Sequence, residues 1–234
     1  MRLSFAASVA KYQQDSRLNE DAFGERTSHG VYAVSDGASE SFDSRRWSKL
    51  LVQLFFRNLH VDERWLRHAV TVYAGKFDRG TMSWSAQAAF DRGSFATLTG
   101  IVIPPTRSQL QVLGVGDSVA VLADGNQIVS SHPYQRAERF AARPLLFSTV
   151  WEQNRTLLGP VLVSFVTRWS LRHLREASIL LMTDALGAWL LRDARARLPK
   201  LLDLNTSRQF EALVGRERIT GQMRRDDTTL AVIR

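Results

Sequence analysis

Acidic residues stand at the ends of apolar, strand-like runs at several points of this chain. Asp36 follows the run Tyr32-Ala33-Val34-Ser35 and precedes Gly37, and Asp184 follows the apolar residues 178–183. The full set of such acids is Glu20, Asp21, Asp36, Asp117, Asp184 and Asp226. Carboxylates gathered at one end of a sheet repel one another unless cations hold them together. Oxygen ligands without a neighbouring His or Cys suit Mg²⁺ or Mn²⁺.

Such a cluster predicts metal-assisted hydrolysis, most naturally of a phosphoester. Two ions a few ångströms apart lower the pKa of a bridging water and neutralise the phosphoryl group that it attacks. A plain structural role remains the alternative for each acid, because acidic residues at strand ends commonly cap turns or helices. Asp62 and the Asp124-Gly125 pair are better explained as caps, and Asp226-Asp227 could form a solvated turn after Arg224-Arg225.

The elements that would position these acids follow from the spacing of apolar residues. Strands are predicted over 3–9, 20–24, 31–35, 95–103, 109–116, 119–123, 127–130, 178–183 and 228–233. Helices are predicted over 41–60, 62–76, 83–90, 185–197 (closed by Pro199) and 207–217. Residues 132–177 should hold loops and one or two short elements. Grouped helices and meandering strands favour an α+β layered fold over alternating βαβ units.

Composition bounds the class of protein. With 234 residues, 44% of them hydrophobic, the chain can form one substantial core, and we predict a single domain over residues 1–234. The absence of cysteine excludes disulfides and thiolate metal sites. No apolar run reaches the roughly 18 residues that span a bilayer. The N-terminus has only a faint likeness to a signal peptide, so we interpret it as the first strand of a cytoplasmic protein.

The net charge of +8 is unevenly distributed. Residues 132–234 carry 17 basic and 10 acidic side chains, whereas residues 1–131 are almost balanced. A basic half could meet nucleic acid, an acidic membrane surface or phosphorylated protein. An Arg-rich solvated surface is the simpler interpretation, so charge alone does not identify the partner.

Ordered motifs along the chain resemble the signature blocks of the PP2C family, the metal-dependent Ser/Thr protein phosphatases (PPM type). The blocks are Asn19-Glu20-Asp21-Ala22-Phe23, Val34-Ser35-Asp36-Gly37, Gly93-Ser94-Phe95-Ala96-Thr97, Val115-Gly116-Asp117-Ser118-Val119-Ala120, Leu180-Leu181-Met182-Thr183-Asp184 and Asp226-Asp227-Thr228-Thr229-Leu230. They cover almost the whole chain in the family's order. The resemblance implies a divergent bacterial-type member with a four-layer αββα sandwich, in which helix pairs flank two antiparallel sheets.

The resemblance also implies a role for each acid. Asp36 would bridge two Mg²⁺ or Mn²⁺ ions, and Glu20 and the Gly37 carbonyl would serve the second ion. Asp184 and Asp226 would hold the first ion, and Asp117 with Asp184 would hold a third, as in bacterial members. Asp21 would orient metal-bound water, which attacks without a covalent phosphoenzyme.

The chain departs from the family pattern in several places. Ala38-Ser39-Glu40-Ser41 replaces a Gly-rich or His-containing segment, so a general-acid His after Asp36-Gly37 is absent. The family's Ser-Asp-Gly block reads Thr183-Asp184-Ala185, and Ala188 stands where a further acid is common. Ser16 occupies the place of the family's phosphate-binding arginine, and Arg17 is the candidate substitute.

Three hypotheses follow. The first is a phosphatase acting on phosphoserine or phosphothreonine of a protein, as a cytoplasmic monomer with no membrane or nucleic-acid partner. The second is a catalytically inactive PP2C-like module that binds a phosphoprotein or a regulatory partner, which the altered blocks motivate. The third and weakest is nucleic-acid binding through the basic half.

Overall fold

The strands lie close to their predicted positions in the computed structural model, which describes residues 1–12, 16–39, 41–106 and 108–234. Glu40 and the side chain of Ser16 therefore lie outside the described residues. The strands are β1 (Leu3–Val9), β2 (Ala22–Arg26), β3 (Val31–Ser35), β4 (Phe95–Ala96), β5 (Leu98–Val102), β6 (Gln109–Val115), β7 (Val119–Asp124), β8 (Gln127–His132), β9 (Phe147–Ser148), β10 (Val166–Ser170), β11 (Ala177–Met182) and β12 (Thr228–Ile233). The predicted hairpins β2–β3 and β7–β8 both form with antiparallel pairing.

Most strands belong to two antiparallel sheets. The first sheet has the order β10-β6-β5-β3-β2, and the second has the order β1-β12-β11-β7-β8. Their facing sides share an apolar core that includes Tyr32 and Val112 from the first sheet and Leu122 and Leu181 from the second. The strands alternate between this inner core and an outer face, as a half-buried strand requires.

Helices cover both outer faces. They are α1 (Ser44–Arg57), α2 (Glu63–Ala74), α3 (Trp84–Arg92), α4 (Pro160–Ser164), α5 (Asp184–Arg192), α6 (Ala194–Leu202) and α7 (Ser207–Ile219). The apolar faces of α1 and α2 pack on the first sheet, with Trp47 and Leu66 fully buried. On the second sheet, α5, α6 and α7 contribute Trp189, Leu198 and Phe210. The predicted α+β sandwich with two antiparallel sheets is confirmed.

Three details differ from the sequence prediction. The strand expected over 95–103 is divided into β4, which pairs with β9 in a separate two-stranded sheet, and β5, which joins the first large sheet. The helix expected over 185–197 is two helices, because the chain breaks at Asp193, whose side chain accepts a hydrogen bond from the Ala196 amide and caps α6. Pro199 consequently lies inside α6 rather than after a helix end. Residues 132–177 hold more structure than expected, including the edge strand β10, which pairs with β6.

None of the helices in the described ranges combines the length and apolar character that a membrane crossing requires.

Candidate active site

Asp36 leaves the end of β3 at the rim of a cavity of about 220 Å³. Its backbone is fixed on both sides, since its amide donates to Thr97 Oγ1 at 2.8 Å and its carbonyl accepts from the Thr97 amide at 2.9 Å. Burial raises the pKa of the Asp36 carboxyl well above its ordinary value, and neighbouring carboxylates add to the shift. Those neighbours, in decreasing order of effect, are Asp21, Asp184, Asp117 and Asp226. Five of the six predicted carboxylates, all except Glu20, are therefore close enough for their charges to influence the ionisation of this cluster.

Asp21 is a buried carboxylate held by two hydroxyl groups. Its Oδ2 accepts hydrogen bonds from Thr229 Oγ1 at 2.6 Å and from Thr183 Oγ1 at 3.1 Å. Its Oδ1 is buried without a hydrogen-bond partner. Burial raises the pKa of Asp21, and the hydroxyl of Thr229 opposes that shift. The free oxygen is the one that can accept a ligand or a proton.

Asp184 and Asp226 come together through an arginine that the sequence analysis had placed only in a turn. Asp184 begins α5 directly after β11, and Asp226 precedes β12, the neighbouring strand. Arg224 Nη2 donates to Asp184 Oδ2 and lies 2.8 Å from Asp226 Oδ2. Burial raises the pKa of Asp184, although the Arg224 charge opposes the shift. Asp184 Oδ1 is buried and unpartnered.

Asp117 lies in the β6–β7 turn and faces the same cavity. Gly116 precedes it with φ +100°, and a Cβ there would lie 2.5 Å from the Thr97 side chain, so glycine is needed at this close approach. Burial first, and then the charge of Asp184, raises the pKa of Asp117 to about 7. The remaining lining includes Pro144 and Leu146, from the irregular segment after β8.

Glu20 lies beside Gly37 and the start of α1. Ser44 Oγ donates to the Glu20 carboxylate, and Ser48 Oγ donates to the Glu20 carbonyl at 2.6 Å. A Cβ on Gly37 would lie 2.9 Å from both the Glu20 carbonyl oxygen and the Ser44 Cβ. The absence of a side chain at residue 37 is therefore what lets the β3 end, Glu20 and α1 meet.

Asp227 is a structural carboxylate that the sequence analysis missed. It is buried, with 5% of its surface exposed. Its two oxygens accept from the backbone amides of Lys11 and Glu20, each at 2.6 Å. The interpretation of Asp226-Asp227 as a solvated turn is therefore wrong for Asp227. In the sequence, the only indication of this structural role is that Asp227 stands two residues before Thr229, in the run that forms β12.

Arg17 is a predicted site residue that does not line the cavity, and neither Glu20 nor Asp21 is among the lining residues. It lies in the short turn Ser16–Leu18 and is exposed, and its carbonyl accepts a hydrogen bond from Arg45. Asp62 caps α2 as predicted, since its side chain accepts from the Trp65 amide at 2.7 Å. The Asp124 carboxylate instead accepts from the distant backbone amides of Arg175 and Glu176, so its bond lies outside the Asp124-Gly125 turn.

The donor chemistry of the cavity fits a hard divalent cation. Buried carboxylate oxygens without partners on Asp21 and Asp184, together with the raised pKa values, are what closely spaced carboxylates show when protons or an arginine replace metal ions. Within the described part of the chain, however, no three acidic or histidine side chains are arranged closely enough to hold an ion as they stand. At Asp184 and Asp226 it is the guanidinium of Arg224 that supplies the positive charge.

The sheets, the flanking helices and the carboxylate end define the fold of the PP2C (PPM) Ser/Thr phosphatases. Among solved structures, the chain resembles the photosystem II phosphatase PBCP (14% identity, TM-score 0.61, 97% of each chain covered). It also resembles the Mycobacterium tuberculosis serine/threonine phosphatase PstP/Ppp (16% identity, TM-score 0.59, 98% of this chain and 97% of the other). A third such structure is the PPM Ser-Thr phosphatase MsPP from Mycobacterium smegmatis (17% identity, TM-score 0.55, 100% and 99% covered).

These likenesses confirm the predicted resemblance at the level of the fold. No protein-family model and no curated protein matches the sequence. The chain therefore shares the fold of these proteins at low sequence identity. The structural likeness does not by itself assign roles to individual residues.

Proposed function

We propose that this chain is a metal-dependent phosphatase that hydrolyses phosphoserine or phosphothreonine in a protein substrate. The observation that carries the proposal is the ring of carboxylates around Asp36, on a fold whose structural neighbours are Ser/Thr phosphatases. Several carboxylates this close repel one another unless cations are bound, so their presence in one site is best explained by an ion-dependent reaction.

The proposed roles are those that the resemblance of the motifs implies. Asp36 would bridge two ions, Glu20 and the Gly37 carbonyl would serve the second, Asp184 and Asp226 would hold the first, and Asp117 with Asp184 would hold a third. When bound, Mg²⁺ or Mn²⁺ supplies the positive charge that activates water and neutralises the phosphoryl oxygens. Asp21, fixed by its two threonine partners, presents Oδ1 to orient the attacking water. The water oxygen would form a bond to phosphorus as the ester P–O bond breaks, and the departing Ser or Thr oxygen would take up the proton that the water gives up.

The test is hydrolysis of an aryl phosphate with and without Mn²⁺, using the wild type and Asp36→Asn. We expect metal-dependent turnover that the substitution lowers by more than about a hundredfold, since it removes the proposed bridging charge. Asp203→Asn is the matched control, because Asp203 is exposed at the end of α6. Metal-independent activity, or an unaffected Asp36→Asn enzyme, would contradict the proposal.

A second candidate is the catalytically inactive module that binds a phosphoprotein. The bridge that Arg224 makes between Asp184 and Asp226 favours it, because an arginine there can replace the ion that turnover needs. Calorimetric titration with Mn²⁺ separates the two candidates. No Mn²⁺ binding together with retained phosphopeptide binding would support the module.

We further propose that residues 1–234 act as one domain, as a cytoplasmic monomer whose partner is a phosphorylated protein. Pairing of the first strand with the last, β1 with β12, supports the single domain. Light scattering on the purified protein tests the monomer.

A further inference from the structure

Arg224 joins two carboxylates that would otherwise share a metal ion. A single nitrogen, Nη2, donates to Asp184 Oδ2 and lies 2.8 Å from Asp226 Oδ2. A positive group at that point does what a cation does there, which is to offset the repulsion between two acids brought together by neighbouring strands.

The backbone around Arg224 is fixed. Met223, the preceding residue, is buried with 4% exposure. On the other side of Arg224, the Asp226 carbonyl and Thr228 Oγ1 both accept hydrogen bonds from Arg218. The loop between α7 and β12 therefore cannot easily carry Arg224 away from the site, so any change of its contacts has to come from the side chain.

The side chain itself has direct access to solvent. The Arg224 side chain is 59% exposed, whereas Asp184 is 9% and Asp226 is 23% exposed. A displaced guanidinium would enter water at small cost, while the acids stay behind. The arginine also leaves the pair incompletely satisfied, because Asp184 Oδ1 remains buried without a partner.

We infer that Arg224 is a built-in competitor for the first metal position: its guanidinium occupies Asp184 and Asp226 until a divalent ion displaces it. The ion then gains two carboxylates and the arginine turns to solvent. Competition of this kind weakens metal binding and sets a threshold metal concentration below which the site is closed. The inference rests on the proposed function only in taking Asp184 and Asp226 as ligands.

The test measures Mn²⁺ affinity by calorimetry in wild type, Arg224→Met and Arg225→Met. Methionine keeps an unbranched apolar stem and removes the guanidinium with its charge, and Arg225 is the exposed neighbouring arginine. We expect Arg224→Met to bind Mn²⁺ about tenfold more tightly, the change that corresponds to losing one charge-assisted hydrogen bond to the competitor. Arg225→Met should bind like the wild type.

Thermal unfolding gives a readout independent of turnover. In EDTA, Arg224→Met should unfold at a lower temperature than the wild type, because two acids lose their counter-charge, and Mn²⁺ should raise its midpoint by more. Arg224→Lys, which keeps a charge but loses the planar fork, should show a smaller change of the same sign. It serves as the second variant if Arg224→Met does not fold.

Unchanged or weaker Mn²⁺ binding in Arg224→Met and Arg224→Lys would overturn the inference while leaving the phosphatase proposal standing. Absence of Mn²⁺ binding in all the proteins would overturn both. Binding that appears only once Arg224 is replaced would support the inference and favour the inactive module for the wild type.

Discussion

Asp21 is the one carboxylate of the cluster to which no metal is assigned, and the hydroxyls of Thr229 and Thr183 donate hydrogen bonds to it. Substitution of Thr229 tests how far Asp21 depends on these partners. Thr229 Oγ1 also hydrogen-bonds to Ser8 Oγ at 2.7 Å. Thr229→Val keeps the shape and removes both bonds, leaving a buried carboxylate oxygen short of a donor. We expect a loss of about 1–3 kcal/mol in the free energy of unfolding, measured with urea.

Thr71→Val is the matched control for that substitution. Thr71 lies on the exposed side of α2, and its hydroxyl donates to the Arg67 carbonyl at 2.9 Å. Its replacement should change the unfolding free energy by no more than about 0.5 kcal/mol. Equal effects at both positions would show that Asp21 draws no particular support from Thr229.

Ionisation of the cluster predicts how stability depends on pH without metal. Burial raises the pKa of Asp117 to about 7, and the pKa values of Asp21 and Asp36 are raised as well. A carboxyl with a raised pKa binds more protons in the folded state than in the unfolded state, so its contribution is present at low pH and is lost as pH rises. In EDTA, the unfolding free energy should fall between about pH 4 and pH 7.

Asp117→Asn isolates one part of that pH dependence. The variant should be more stable than the wild type at about pH 8 in EDTA, by about 1 kcal/mol, because a charge is removed from a crowded acidic site. Below about pH 4, where Asp117 is protonated in both the folded and the unfolded state, the two proteins should converge. An advantage of equal size at both pH values, measured by urea denaturation, would contradict this account.

At the scale of elements, Gly37 is the point where a strand end, the Glu20 turn and α1 approach most closely. Gly37→Ala would place a methyl group 2.9 Å from the Glu20 carbonyl oxygen and the Ser44 Cβ. Since both neighbours are held by hydrogen bonds, we expect destabilisation by about 1–3 kcal/mol in chemical denaturation. Gly75→Ala should be nearly neutral, because its closest contact would be 3.4 Å.

The elements also show what the sequence could and could not predict. Strands β1, β3 and β12 match their predicted bounds because the alternating or continuous pattern of apolar residues extends over the whole length of each strand. The break at Asp193 was missed because the apolar spacing continues through it and only the cap at Ala196 reveals a second helix. Strand β10 was missed because its mixed composition becomes a strand only through pairing with β6.

The candidate site likewise contains residues that the sequence could predict and residues that it could not. The acids could be predicted because strand ends are visible in the sequence, and strands that share a sheet bring their ends together. Arg224 and Asp227 could not, because their roles depend on partners far along the chain: Asp184 for the arginine, and Lys11 and Glu20 for the acid. The residues next to an arginine in the sequence do not show whether its side chain will enter a site or remain in solvent.

At the scale of the whole molecule, a basic cavity of about 660 Å³ lies along α1 and the end of α2. Arg45, Arg46, Lys49 and Lys76 line it, with Asp43 as the acid among its lining residues. Arg45 also reaches the carbonyl of Arg17, so this cavity begins close to the Glu20 side of the candidate active site. Acidic residues flanking a phosphorylated serine would find complementary charge there.

We therefore predict that an acidic phosphopeptide is a better substrate than a basic one, by about tenfold in kcat/KM at low salt, and that the preference shrinks at about 0.3 M salt. Lys49→Glu combined with Lys76→Glu should remove the preference. Lys200→Glu, on α6 at the opposite face, is the control. A salt-independent preference, or one that survives the double substitution, would exclude this cavity as its source.

Strand β12 lies between β1 and β11, in the interior of the second sheet, although it is formed by residues 228–233. Asp226 and Asp227 immediately precede it, and Asp227 fixes the backbone of Lys11 and Glu20. A nascent chain that ends after α7 therefore lacks the strand between β1 and β11, and the Glu20 amide lacks its hydrogen bond to Asp227. The carboxylate cluster can assemble only after translation of this strand, so a nascent chain that ends before residue 228 lacks the backbone support on which the proposed site depends.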